Sequence, residues 1–176
     1  MTMDRDSSEA GRYNRIRSKN RKIAYRGLLT ALAMVLSYLE SFIPVFAAVP
    51  GIKIGLANIV TVYAIFRLGF PDAAIIGIIR VVLSALLFGN PVMIVYSAAG
   101  LLFSLLIMFI LSKLPFFGIM GVSVAGGVFH NLGQLAAAAV FAGSASLMYY
   151  LWILLVVGAV SGGIIGVLAG IVIRKV

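Results

Sequence analysis

Leu101-Leu102-Phe103-Ser104-Leu105-Leu106-Ile107-Met108-Phe109-Ile110-Leu111 is hydrocarbon broken by one hydroxyl. A strand of a membrane barrel alternates polar and apolar residues, and this run does not. Only helices and closed barrels satisfy every backbone N–H and C=O in lipid. The run therefore reads as helix, and its surroundings say how many such helices there are. Asn90-Pro91 supplies a cap and a first helical residue upstream, and Pro115 closes the segment downstream. A hydrocarbon core about 30 Å thick needs roughly 20 helical residues, and this segment has that length.

The same punctuation recurs along the chain. A first span is expected near 27–48, ended by Pro50-Gly51, and a second near 53–69. The third begins at Pro71-Asp72, with an acid at the positive end of the helix dipole, and stops at Gly89-Asn90. The fourth runs to about Ser112, the fifth over about 117–142 and the sixth over about 147–173. Turns this short make consecutive spans antiparallel neighbours. The expected fold is an all-α integral membrane protein, a six-transmembrane-helix bundle over 27–176, preceded by a basic arm over 1–26.

Composition agrees. Of 176 residues, 62% are hydrophobic, too many for a soluble domain of this size to cover. The net charge is +9, and eight of the fourteen Lys and Arg residues lie in residues 5–26. Because that arm runs straight into a span, it reads as a flank beside anionic lipid headgroups, not as a nucleic-acid-binding segment. It lacks the form of a cleaved signal, and residues 1–20 are expected to be disordered. With the arm inside, Arg67, Lys113, Arg174 and Lys175 also fall on the cytoplasmic side, leaving only Lys53 outside. Both termini are thus expected in the cytoplasm and the chain in the cell membrane as a multi-pass protein.

Small residues mark close packing. Gly158, Gly162, Gly166 and Gly170 share one face of the last span, where backbones can touch. An internal seam is the favoured reading. Gly27, Ala31, Ala33 and Ser37 form a weaker run in the first span, for core packing or for docking another membrane subunit.

Ionisable residues inside a bilayer are functional candidates by default. Glu40 lies ten residues before Pro50 and Arg80 nine after Pro71, each about 15 Å from its span's end. His130 sits near the centre of the fifth span. The three share a depth, and Glu40 with Arg80 is expected to form a buried pair, with His130 in or beside the same polar pocket. That pair either serves a ligand or only fixes helix packing. His130, Asn131 and Gln134 lie on one stripe flanked by Gly126, Gly127 and Gly133. Such amides must face protein or a wet cavity, and a ligand-facing stripe is favoured over a satisfied interior one. Lys53 either snorkels at the outer mouth or contacts an anion there, with Asn58 deeper. Asn90 and Tyr96 complete the candidate ligand contacts, although tyrosines near interfaces are usually belt residues. The inward charge leans positive, so an anionic or amphipathic ligand is expected. One His and no Cys give no metal ligand set, and no cofactor is expected.

Pro50-Gly51-Ile52-Lys53-Ile54-Gly55-Leu56-Ala57-Asn58-Ile59-Val60-Thr61, Leu86-Leu87-Phe88-Gly89-Asn90 and His130-Asn131-Leu132-Gly133-Gln134-Leu135 resemble motifs of the Gx transporter family. Its members are widely labelled heptaprenyl diphosphate synthase component I. The resemblance covers about residues 24–174. The family's layout is similar to the substrate-binding S components of energy-coupling-factor (ECF) transporters. What this implies is a small bacterial membrane subunit that captures a scarce compound outside and works with a membrane scaffold and ATPases. S components often dock through Ala-x-x-x-Ala in the first span, and the nearest matches here are Gly27-x-x-x-Ala31 and Ala33-x-x-x-Ser37.

Chemistry narrows the functions. Prenyl elongation needs carboxylate clusters that hold Mg²⁺ on diphosphate oxygens. The five acids are Asp4, Asp6, Glu9, Glu40 and Asp72, with no Asp-Asp-x-x-Asp cluster. No Gly-x-x-x-x-Gly-Lys-Ser/Thr loop exists for ATP. No enzyme activity is expected of the chain alone. The primary expectation is a binding and transport subunit. The alternatives are a non-catalytic membrane partner in heptaprenyl diphosphate or menaquinone-related metabolism, and a structural subunit of a membrane redox complex.

Overall fold

A computed structural model describes residues 3–42, 55–88, 91–143 and 149–175. Six helices follow in order: α1 Met3–Ser41, α2 Asn58–Arg67, α3 Phe70–Phe88, α4 Pro91–Ser112, α5 Ile119–Ala142 and α6 Leu151–Lys175. Among the described residues there is no strand. Five helices, all but α2, are long and apolar enough to cross a bilayer, as a multi-pass membrane protein requires. Their outward faces are apolar too, with Ile78, Leu86, Leu102, Leu106, Val156 and Val160 exposed.

The second element departs from the expected span over 53–69. α2 has 10 residues and covers only about 15 Å, half a hydrocarbon core. The break has a local cause. Gly55 sits at φ +83°, a left-handed conformation that cannot continue a helix upstream. α2 is also buried almost all round: every residue from Val60 to Ile65 is inside. It touches each of the other five helices. Half-length helices survive at membrane depth only under such cover, because their free backbone ends must not meet lipid. α2 is therefore the bundle's axis. Val60, Val62, Ala64 and Ile65 form the centre of the core with Ile76, Leu101, Leu105, Met108 and Ile165.

The first helix is longer than a span. Its 39 residues extend about 58 Å and carry helix through the basic arm from Met3 onward. The arm contains no proline, and a span already helical spares it the nucleation step. From Thr30 on, Ala33, Ser37 and Glu40 turn inward at three- and four-residue spacing, whereas Gly27 and Ala31 face out.

Polar ties gather the basic residues at one end. Arg26 pairs with Asp72, joining α1 to the start of α3. Arg67 Nη2 donates to the Ile173 carbonyl at 2.5 Å, joining α2 to the last turn of α6. Tyr25 and Tyr63 hydroxyls meet at 2.7 Å. Lys113 lies over the Phe109 ring, and Phe109 packs on Phe70 with centroids 4.8 Å apart. Arg26, Arg67, Lys113, Arg174 and Lys175 therefore cluster at the same end of the bundle.

The α5–α6 and α4–α5 seams are the most extensive. In the first, backbone meets backbone. A Cβ on Gly162 would lie 2.6 Å from the Ser123 carbonyl oxygen and 2.8 Å from Val124 Cα. Gly127, Gly158 and Gly166 are equally tight, whereas Gly170 and Gly27 face open space. Ser123 Oγ reinforces this seam by donating to the Gly162 carbonyl at 2.7 Å.

Candidate functional site

The polar centre lies where the end of α1 comes beside the turn that leads into α2. Glu40 stands in the last turn of α1, 5% exposed, and its Oε1 accepts the Gly55 N–H. The end of its own helix repels an anion, but the start of α2 attracts one. The carboxylate thus bridges the end of one helix and the beginning of the next. Asn58, the first residue of α2, is buried with its amide nitrogen 2.9 Å from where a Gly55 Cβ would stand.

Arg80 reaches this centre from α3. Ala73, Ile76, Gly77, Arg80, Val81 and Ala85 make the buried face of that helix at helical spacing. Arg80 is 8% exposed and within electrostatic range of Glu40. Its Nε and the Ser84 Oγ, one turn further on, are buried with no hydrogen-bond partner among the described residues. Both are donors, and a buried donor with no acceptor loses about 1–3 kcal/mol. Each would be stabilised by an acceptor, above all by an anionic oxygen.

The fifth-helix stripe divides. His130 is buried against α4: its Cε1 lies 3.0 Å from a Cβ built on Gly100, and the Gln134 stem lies 2.8 Å from the same point. Asn131, 3% exposed, turns the other way and donates from Nδ2 to the Leu154 carbonyl of α6 at 3.0 Å. Its amide N–H is thereby engaged in helix packing. Tyr96 stacks edge-on with Phe141 at 6.1 Å near the other end of α4. Glu40 and Asn58 thus meet at Gly55, with Arg80 within electrostatic range of Glu40, while His130, Asn131 and Gln134 serve the α4–α5 and α5–α6 seams. Lys53 and Asn90 lie outside the described residues.

A groove of about 360 Å³ opens between α4 and α5, walled by Val95, Phe103, Val140 and Phe141 over a floor of Ala99, Gly133, Ala136 and Ala137. Its lining is apolar and includes none of the ionisable candidates. Among the described residues, no three of His, Cys, Asp or Glu come together as a metal set.

Sequence reasoning missed two participants. The Gly55 N–H is a backbone donor, and the only signal for it is a glycine within an apolar run, which marks a break as often as a close approach. Ser84 is an ordinary helix hydroxyl until its distance from Arg80, one turn, is set beside the buried face.

The chain matches no curated protein closely enough to count as a relative. Residues 29–172 match the family described as heptaprenyl diphosphate synthase component I. The matched segment runs from within α1 to the last turn of α6, includes α2 and its polar surroundings, and leaves out the whole basic arm over 1–26. The chain belongs to the heptaprenyl diphosphate synthase component I family.

Proposed function

We propose that this chain is a non-catalytic, membrane-embedded subunit that holds an amphipathic anion of the prenyl diphosphate class for a partner synthase. The observation that carries the reading is the pair of buried donors, Arg80 Nε and Ser84 Oγ, one turn apart on α3. They call for an anionic head, and the surrounding bilayer admits an apolar tail. The family description, a numbered component of a prenyl synthase, supplies the ligand class and implies a second component. The acids argue for the non-catalytic role. In the membrane domain only Glu40 and Asp72 are present, and Asp72 is engaged with Arg26, so no carboxylate cluster can hold Mg²⁺ on a diphosphate. The basic end of the bundle faces the cytoplasm in this reading.

Arg80→Lys tests it. Lysine keeps the charge opposite Glu40 but loses the guanidinium Nε–H and its planar fork. With the chain in neutral-lipid nanodiscs, binding of farnesyl diphosphate is expected to weaken about tenfold or more, the equivalent of one charge-assisted hydrogen bond. Farnesol binding is expected to be weak in both proteins. Equal affinity for farnesol and its diphosphate would sink the proposal.

A second reading keeps the binding centre and changes its partners. Helix ends that meet within the bilayer are how many carriers build a substrate site. An ECF-like carrier would co-purify with ATP-hydrolysing subunits, whereas the first reading requires a soluble prenyl synthase.

A further inference from the structure

The part of α1 that leaves the bundle is exposed from Arg12 to Tyr25, and the residues up to Ala24 extend about 20 Å. Its root is held: Tyr25 meets Tyr63 and Arg26 meets Asp72. At 100° per residue, Tyr13, Ile16, Asn20 and Ile23 fall within one sector about 100° wide, and no basic residue enters that sector. Tyr13 is 65% exposed and Ile23 64%, so the bundle leaves this stripe uncovered. The spacing of three and four is that of a coiled-coil seam with a polar residue, Asn20, at one core position. The positions that border such a seam are held by Arg12, Arg17, Lys19 and Ala24, with Arg26 already paired to Asp72.

That border decides the occupant. A second copy of this helix would set Arg12 and Arg17 of each chain against those of the other in a parallel pair, and like charges at these positions forbid pairing. Anionic headgroups would satisfy the arginines, but they would reach the apolar stripe only if the helix bent over onto the membrane, and α1 is one continuous helix from Met3 to Ser41. What satisfies both features is a helix with its own apolar seam and acidic borders.

We propose that residues 12–24 are a docking stalk for an acidic amphipathic helix of a soluble partner protein. The inference rests on the reading of the chain as one subunit of an assembly, but not on the identity of the bound amphiphile. Farnesyl diphosphate binding reports the buried centre alone, so loss of either result is distinguishable from loss of the other.

The experiment is site-specific photo-crosslinking of the full chain in the cell's own membranes. A photoreactive residue replaces Ile16 or Ile23 on the stripe, or Ser18 or Lys22 on the opposite face. Protein adducts are expected from positions 16 and 23. The linked segment is expected to carry net negative charge and apolar residues at three- and four-residue spacing. Yield is expected to fall at least tenfold in the Arg17→Glu/Lys19→Glu variant, with farnesyl diphosphate binding unchanged. Lipid adducts alone, adducts to a second copy, equal yields from both faces, a partner segment without acidic helical character or no adduct at all would each overturn the stalk.

Discussion

Gly162→Leu is expected to prevent the bundle from assembling, whereas Gly170→Leu leaves it intact. The two glycines lie on the same helix, two turns apart, in the same small-residue series. At Gly162 the added Cβ would stand 2.6 Å from the Ser123 carbonyl oxygen and 2.8 Å from Val124 Cα. Both obstacles are backbone, so no rotamer change relieves them. The helices must separate, and separation also removes the Ser123–Gly162 hydrogen bond. Overpacking of well-fitted side chains typically costs about 1–3 kcal/mol, and backbone obstruction stands at or above the top of that range. In lipid no hydrophobic force compensates for lost contact, because acyl chains are as apolar as leucine. At Gly170 a Cβ meets nothing within 4 Å. Unfolding in detergent, followed by circular dichroism or by steric trapping, checks the pair. Comparable loss in both variants would mean that the close approach of α5 and α6 is not what holds them.

Arg80→Gln is expected to destabilise the protein by about 3–5 kcal/mol, the usual result of removing one member of a buried charge pair. The Glu40→Gln/Arg80→Gln protein is expected to regain most of that loss, because two neutral amides need no opposite charge. It is not expected to regain farnesyl diphosphate binding. This contrast separates the two roles left open by the sequence. A purely structural pair would recover everything in the double variant, including ligand binding. A ligand-binding pair recovers the fold without the affinity. Arg80→Lys, which keeps the charge, isolates the Nε–H donor from the charge itself.

The order of helices was legible because proline and glycine punctuate it: Pro71, Pro91, Pro115 and Gly143 each stand at or beside a boundary. The half-length of α2 was not. Residues 53–69 are apolar enough to read as a whole span, but the left-handed backbone of Gly55 stands before a helix that begins only at Asn58. Composition carries no record of a dihedral, and a glycine in a membrane helix is more often a packing device. The shared depth of Glu40 and Arg80 was legible, since helical rise converts residue counts into distance, and the two lie within electrostatic range. The partners of the fifth-helix stripe were not. A helical wheel gives the face of His130 and Asn131 but not where one neighbouring helix ends and the next begins. Here the boundary between α4 and α6 passes between two adjacent residues. The length of α1 was hidden for another reason: a strongly basic segment looks unable to order itself, and its helix is continuous with one the bundle already holds.

The central claim is that an anionic head binds on the buried face of α3, against Arg80. Solid-state NMR dipolar recoupling between the phosphorus of bound farnesyl diphosphate and ¹⁵N introduced at arginine tests it most directly, with Arg80→Lys removing the assigned signal. Dephasing at hydrogen-bonding range, lost in Arg80→Lys, is the predicted result. Saturating binding of the diphosphate with no coupling to Arg80 would contradict it.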